Sequence, residues 1–159
     1  KDVASSLTSE SIYGTLAQVI ASRELISGRK DARIAVAALN PHSGEGGKIG
    51  TEEAGIIVPA VDKAKKLYDN IEGPISADVV FYRALKKEID IIIGMYHDQC
   101  LSPFKMVEFD TGVNMTLGLG HIRTSPDHGT AFDIAGRGTA SSESMKNALR
   151  LAIRAVTST

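Results

Sequence analysis

The sequence contains no tryptophan, one cysteine and only 5% aromatic residues. A single cysteine, Cys100, cannot form an intramolecular disulfide, which is typical of proteins from a reduced compartment. No apolar run approaches the roughly 18 residues of a transmembrane helix, and residues 1–10 lack a signal-peptide pattern. We therefore expect a cytoplasmic protein that has no membrane partner.

The sequence also lacks an excess of either charge. Its 18 basic and 19 acidic side chains give a formal net charge of −1, whereas nucleic-acid-binding proteins are usually basic. A hydrophobic share of 43% is ordinary for a folded globule. The 159 residues suffice for one domain with a core, or for one part of a larger protein. We expect no nucleic-acid partner.

The apolar residues repeat with periods that predict alternating helices and strands. Ile12, Leu16, Val19 and Ile20 have helical spacing. Two runs that are mainly apolar, without polar alternation, predict buried strands of a parallel sheet: "RIAVAALN" (33–40) and "IDIIIG" (89–94). A helix is predicted after residue 50, with Thr51 as its N-cap, followed by a loop over 70–78 and a helix over 79–88. A third apolar stretch covers 112–120. The chain closes with a predicted helix whose inward residues are Met145, Leu149, Ala152 and Val156.

This alternation predicts an α/β layered fold, with a mostly parallel sheet flanked by helices. We find no internal repeat or linker, so one α/β unit is the simplest organisation. In open α/β sheets, ligands bind outside the carboxyl ends of the strands. Two polar clusters follow predicted strands and are therefore expected at the same edge of the sheet.

The first cluster is "NPHSGEGG", which contains His42. Its glycines let the backbone approach an anion closely, but neither the P-loop nor the G-x-G-x-x-G pattern is met. His42 is either a metal ligand or a turn histidine bonded to backbone, and the residues alone favour the turn histidine. The second cluster, "MYHDQ", places His97 and Asp98 after a strand, where imidazole suits Zn²⁺ or Co²⁺ and the carboxylate can move a proton. A capping Asp beside a satisfied His is the alternative.

Later residues add candidate ligand contacts. Lys105, Asn114 and Arg123 are either solvated surface groups or a clamp for phosphate and carboxylate. His128 and Gly129, followed by Thr130, are interpreted as a ligand-contact loop. Cys100 is interpreted as a small apolar filler, and His121 as a surface residue.

Six stretches in order, from about Arg33 to Gly138, resemble the 4-hydroxythreonine-4-phosphate dehydrogenase family of vitamin B6 biosynthesis. They are "LNPHSGEGGKIGTEE", "GPISAD", "MYHDQ", "LSPFK", "GVNMTLGL" and "IRTSPDHGTAFDIAGRG". The last is also similar to the coenzyme loop of isocitrate and isopropylmalate dehydrogenases, which implies their fold. The resemblance covers only the C-terminal half of a roughly twice-longer, two-domain enzyme.

The resemblance implies a homodimer with the active site at the interface, a divalent metal (Zn²⁺, Mg²⁺ or Co²⁺) and NAD(P). It implies that His42 and His97 bind the metal, and that Lys105, Asn114 and Arg123 contact substrate. The coenzyme loop falls on His128, Gly129 and Thr130. The family's first metal histidine lies before the region that this chain matches, and Cys100 and "GLGH" (118–121) depart from the family pattern.

The implied reaction is oxidation of 4-phosphohydroxy-L-threonine at C3, followed by decarboxylation to 3-amino-2-oxopropyl phosphate. Asp98 and Asp78 are candidate proton acceptors. Three alternatives stay open: a sister dehydrogenase of D-threonate or D-erythronate 4-phosphate or of aromatic dihydrodiols, a non-catalytic metal- or nucleotide-binding remnant, and a metal-dependent hydrolase. The coenzyme loop argues against the hydrolase.

Overall fold

In the computed structural model, residues 2–157 are described, and they divide into two compact units. The first unit ends at Pro103 and the second begins at Phe104. Six helices and five strands follow one another along the chain: α1 (Val3–Ser6), α2 (Ser9–Ser27), β1 (Ile34–Ala37), α3 (Val58–Lys65), β2 (Ile71–Ile75), α4 (Ala77–Leu85), β3 (Ile91–Ile93), α5 (His97–Glu108), β4 (Val113–Thr116), β5 (Arg123–Pro126) and α6 (Glu143–Thr157).

The first unit is built on a parallel sheet with the strand order β2-β1-β3. All four residues of the central strand β1 are buried. Helix α4 covers the face that carries Ala35 and Ala37, through Val80. Ile34 and Val36 point to the opposite face, because side chains alternate along a strand, and the core there includes residues of α2 and α3. The predicted α/β fold with a parallel sheet is confirmed.

Helix α2 shows how local sequence sets an element. Thr8 and Ser11 form a reciprocal capping box at its start. Gly28 ends it in the left-handed conformation, with φ of 75°. The four apolar residues predicted to face the core are all buried. This prediction from helical spacing is confirmed.

The prediction of a loop over residues 70–78 was wrong, since β2 occupies Ile71–Ile75. A Gly-Pro pair usually indicates a turn, but proline is tolerated in a strand at the edge of a sheet, and β2 pairs with β1 on one side only. Gly73 is required there, because an added Cβ would lie 2.6 Å from the carbonyl oxygen of Val36.

The prediction that Thr51 is an N-cap was also wrong. A short π-helical segment, Glu53–Ile57, precedes α3, and no side-chain cap is formed at its start. The carboxylate of Glu53 instead turns back toward β1, as described below. Ile57, Val61 and Ala64 are buried.

The second unit contains an antiparallel hairpin, β4–β5, against which α6 packs. The predicted closing helix is confirmed as α6. The prediction that Met145, Leu149 and Val156 face inward was wrong, since they are 47%, 58% and 66% exposed. The buried residues are small: Ser144, Ala148 and Ala155. They let the helix approach the hairpin closely, where Thr124 Oγ1 donates to the Ala148 carbonyl at 2.9 Å. The apolar stripe therefore lies on the other side of the helix.

Within residues 2–157, the helices are all too short or too polar to cross a lipid bilayer.

An ion pair at the amino-terminal edge of the parallel sheet stabilises the first unit. Asp90 accepts hydrogen bonds from the Arg33 backbone N–H at 2.8 Å and from Nε and Nη2 of its guanidinium at 2.9 and 3.0 Å. Its side chain is 15% exposed. These bonds to Arg33 lower the pKa of Asp90 from 3.8 to about 2.

We expect Asp90→Asn to lower the free energy of unfolding by about 2 kcal/mol at neutral pH. Because the folded pKa of Asp90 is depressed, its contribution is complete above 3.8 and is lost as pH falls toward about 2. Urea unfolding of both proteins at neutral and acidic pH measures this. A difference that does not shrink in acid would contradict the assignment.

Candidate active site

Three predicted site residues lie just beyond the carboxyl ends of three neighbouring parallel strands. His42 follows β1, Asp78 follows β2 and His97 follows β3. Since the strands are parallel, these ends lie at the same edge of the sheet. All three side chains are exposed. The first unit therefore presents two imidazoles and a carboxylate at its ligand-binding edge.

His42 lies in a left-handed turn within the short helical segment Pro41–Gly47. The five residues from His42 to Gly46 have φ of 52°, 53°, 77°, 45° and 66°. Three of them, His42, Ser43 and Glu45, are not glycine, and each costs roughly 1–2 kcal/mol in this conformation. Such a turn persists only where surrounding contacts offset its strain.

Glu53 holds the residues that come immediately before this turn. It is 5% exposed, and its Oε1 accepts from the backbone N–H groups of Leu39 at 2.9 Å and Asn40 at 2.8 Å. Its Oε2 accepts from Asn40 Nδ2 at 2.9 Å, and the same amide also donates to Glu52 Oε2 at 2.8 Å. The buried carboxylate is thus stabilised by three N–H donors. It fixes the residues that lead into the left-handed turn.

Two glycines make room for this network. A Cβ on Gly44 would lie 2.7 Å from Glu53 Oε2 and 2.8 Å from the Gly50 carbonyl oxygen. A Cβ on Gly50 would collide with the amide of Asn40. These two glycines therefore serve the packing of the turn against Glu53.

His97 begins α5, and Asp98 lies in its first turn, where a negative charge is favourable. The next residue, Gln99, is 7% exposed and uses both ends of its carboxamide. Its Nε2 donates to the Ala38 carbonyl and its Oε1 accepts from the Met95 N–H, each at 2.7 Å. Sequence analysis missed Gln99. Its only signal was a polar side chain immediately after two predicted site residues.

Cys100 is half-buried, and burial raises the pKa of its thiol. Its sulfur fills the space in which Gly94 would carry a Cβ. A thiol with a raised pKa is a poor nucleophile at neutral pH. This environment agrees with the interpretation of Cys100 as a small apolar filler.

Asp78 accepts a hydrogen bond from Ser76 Oγ at 2.5 Å. This bond, chiefly, together with backbone hydrogen bonds and the charge of His42, holds the pKa of Asp78 below its usual value. Asp78 is therefore ionised at neutral pH. It can accept a proton or bind a metal ion.

The candidate substrate residues belong to the second unit. Lys105 Nζ lies 3.5 Å from Asp127 Oδ2 and donates to the Asp127 carbonyl at 3.1 Å. Arg123 is exposed and donates to Thr116 Oγ1 at 3.0 Å across the hairpin. Asn114, also exposed, lies on the same hairpin face as Arg123, because Arg123 pairs with Thr116, two residues along the strand. The hairpin thus presents Asn114 and Arg123 on one face.

The candidate coenzyme loop, His128 to Thr130, follows β5 and is exposed throughout. His128 Nδ1 lies 2.9 Å from the Gly129 carbonyl oxygen. An added Cβ on Gly129 would meet no atom within 4 Å. The backbone of this loop is therefore open to a ligand.

A divalent metal needs several donor side chains that converge on one point. No group of three or more His, Cys, Asp or Glu side chains suitable for a metal occurs in the described part of the chain. His42 and His97 are exposed, and neutral imidazole is a preferred donor for Zn²⁺ and Co²⁺. Metal sites of catalytic type also leave positions for water or substrate. The two histidines fit as part of such a donor set.

The chain matches one protein family over most of its length. Residues 1–152 match the model of the family described as pyridoxal phosphate biosynthetic protein PdxA. A relative from Geobacter metallireducens, a 4-hydroxythreonine-4-phosphate dehydrogenase, is 56% identical over 78% of this chain and 37% of its own length. The chain thus spans less than half the length of the relatives it matches.

Solved structures show the same likeness. The 4-hydroxythreonine-4-phosphate dehydrogenase of Klebsiella pneumoniae matches with a TM-score of 0.81 and 42% identity, over 96% of this chain and 46% of that one. A terephthalate 1,2-cis-dihydrodiol dehydrogenase from Burkholderia xenovorans matches with a TM-score of 0.75 and 27% identity, over 97% of this chain and 48% of that one.

Proposed function

The chain belongs to the pyridoxal phosphate biosynthetic protein PdxA family, and on this premise we propose that it contributes to a metal-dependent, NAD(P)-linked dehydrogenase. The proposed reaction oxidises 4-phosphohydroxy-L-threonine at C3 and then releases CO₂ to give 3-amino-2-oxopropyl phosphate. The observation that carries the proposal is the placement of His42 and His97 at the ends of neighbouring parallel strands.

His42 and His97 would hold the divalent metal, with Zn²⁺, Mg²⁺ and Co²⁺ as candidates. When bound, such an ion acts as a Lewis acid toward the substrate hydroxyl. Imidazole ligands favour Zn²⁺ or Co²⁺ over Mg²⁺, which prefers oxygen donors. The Glu53 network supports this role, because it holds Leu39 and Asn40, which lead into the strained turn that presents His42.

Asp78 and Asp98 are the proposed proton acceptors for the C3 hydroxyl. Both are exposed at the strand-end edge. The hydrogen bond from Ser76 lowers the pKa of Asp78, so it is ionised and ready to accept a proton, although weakly basic. Hydride transfer to the nicotinamide is the chemistry of the coenzyme, and the exposed loop from His128 to Thr130 is the proposed contact for it.

Lys105 and Arg123 are proposed to neutralise the phosphate and carboxylate of the substrate, with Asn114 as a hydrogen-bond donor. Arg123 and Asn114 share an exposed face, which supports their role. Lys105 forms an ion pair with the Asp127 carboxylate and a hydrogen bond with its carbonyl. An anionic substrate would have to share or replace that partner.

A second candidate is a dihydrodiol dehydrogenase, favoured by the likeness to the terephthalate 1,2-cis-dihydrodiol dehydrogenase. Such a substrate has no phosphate, so the cations of the second unit would have to bind its carboxylate. The lower identity of this relative, 27% against 42%, favours the phosphorylated substrate.

The test uses the complete gene product that contains this chain and measures the absorbance of the NADH or NADPH that it forms. We expect turnover of 4-phosphohydroxy-L-threonine with NAD⁺ or NADP⁺ and its loss on chelation. D-threonate 4-phosphate, D-erythronate 4-phosphate and a terephthalate dihydrodiol are the comparison substrates. Turnover of one of these alone would keep the chemistry and change the substrate, whereas inactivity with all of them would favour a non-catalytic remnant.

The homodimer with its active site at the interface, the cytoplasmic location and the place of this chain within a longer two-domain enzyme stay predictions. Sedimentation of the complete gene product tests the dimer.

A further inference from the structure

We propose that Gln99 is a positioning residue, whose carboxamide fixes the separation of the two strand ends that carry His42 and His97. The inference rests on the proposed function, because it concerns the same pair of histidines. It adds a residue that contacts neither metal nor substrate.

Gln99 contacts Ala38, which lies 61 residues earlier in the chain. Its Nε2 donates to the carbonyl of Ala38, which follows β1, and its Oε1 accepts from Met95, which follows β3. Both bonds measure 2.7 Å, and the side chain is 7% exposed. A primary amide offers a donor and an acceptor at a fixed spacing. Gln99 therefore continues the connection between β1 and β3 beyond the last ladder pair, Val36 with Ile93.

Ala38 is the point at which the strand ends are joined. Its carbonyl accepts from Gln99, and its own N–H donates to the Ile75 carbonyl at the end of β2 at 2.7 Å. The next two residues, Leu39 and Asn40, are held by Glu53. A displacement of Ala38 would therefore pass directly into the turn that carries His42.

The Gln99 side chain also restrains the backbone on both sides of His97. Gln99 lies two residues after His97, in the first turn of α5. Its Oε1 also accepts from the backbone N–H of Met95, which lies two residues before His97. His97 is thus enclosed in a loop closed by one buried side chain. Because His97 itself is exposed, its orientation depends on this backbone support.

The test replaces Gln99 with methionine, which has similar length and volume but provides neither hydrogen bond. Gln99→Glu is the companion variant: it keeps the acceptor for Met95, and its ionised carboxylate replaces the donor to the Ala38 carbonyl with a negative charge. Asp90→Asn is the matched control. It removes a structural ion pair at the amino-terminal edge of the same sheet and leaves the carboxyl ends of the strands unchanged.

The first readout needs no metal. In protein labelled with ¹³C at histidine, the ring signals of His42 and His97 are expected to shift or broaden in Gln99→Met. Those of His121 and His128 are expected to stay unchanged, and in Asp90→Asn all four are expected to match the wild type. The second readout is titration with Zn²⁺ alone. We expect affinity at His42 and His97 to fall about 10–100-fold in Gln99→Met and less than about twofold in the control.

Wild-type ring signals and Zn²⁺ affinity in Gln99→Met would overturn the proposal. So would equal losses in Asp90→Asn, since they would show a general effect of stability. If Gln99→Met does not fold, the same comparisons are made with Gln99→Glu. If Zn²⁺ leaves the His42 and His97 signals of the wild-type protein unchanged, the proposed metal site is contradicted. The signals recorded without metal would still decide the role of Gln99.

Discussion

Replacement of His97 by alanine is expected to abolish chelator-sensitive turnover while leaving the fold intact. The imidazole is exposed at the start of α5, so its removal opens no core cavity. A metal ligand, by contrast, holds the ion that stabilises charge in the transition state, a contribution of several kcal/mol. Loss of about 4 kcal/mol corresponds to a rate roughly 10³-fold lower. NADH formation, Zn²⁺ titration and urea unfolding of the same preparation measure the three effects separately.

His121→Ala is the matched control, because His121 is also exposed but lies in the connection between β4 and β5. It should retain both activity and Zn²⁺ affinity. Full activity in His97→Ala would refute the ligand assignment. A large loss of unfolding free energy in that variant would instead assign His97 a structural role.

Gly44→Ala is expected to have the largest effect on stability, lowering the free energy of unfolding by about 2–4 kcal/mol. Two costs combine: the left-handed backbone at φ of 77° and the displacement of the Glu53 carboxylate, which the new Cβ would approach to 2.7 Å. Displacement of Glu53 would break its bonds to Leu39 and Asn40. Zn²⁺ binding through His42 should weaken as well.

Gly46→Ala separates the two costs. Gly46 is also left-handed, with φ of 66°, but an added Cβ there would meet nothing within 4 Å. We expect only the backbone cost, about 1–2 kcal/mol. Urea unfolding of both variants provides the comparison. Equal losses would show that Glu53 is not displaced.

Sequence patterns predicted elements best where burial is strong and local. The apolar run of β1 and the helical spacing of α2 correspond to residues buried in the first unit. The patterns predicted β2 wrongly, because an edge strand tolerates the Gly73-Pro74 pair that elsewhere marks a turn. They also predicted the orientation of α6 wrongly, because small side chains face the hairpin.

The candidate site was predictable to the extent that it depends on strand ends. His42 and His97 were expected at one edge from their positions after apolar runs, and the sheet topology places them there. Glu53 and Gln99 were missed because their roles depend on bonds to residues 13 to 61 positions away. Periodicity contains no information about such contacts. The partner of Lys105, Asp127, is 22 residues distant and was missed for the same reason.

The left-handed turn also has a consequence for the order of folding. Its three non-glycine residues are strained in isolation, so the turn has no local tendency to nucleate. Its support, Glu53, is held in place only when the segment leading into α3 has packed beside β1. The turn is therefore a late event, and mutations within it should affect the rate of unfolding more than the rate of folding. The segment that carries His42 therefore takes its final conformation after the core of the first unit has formed.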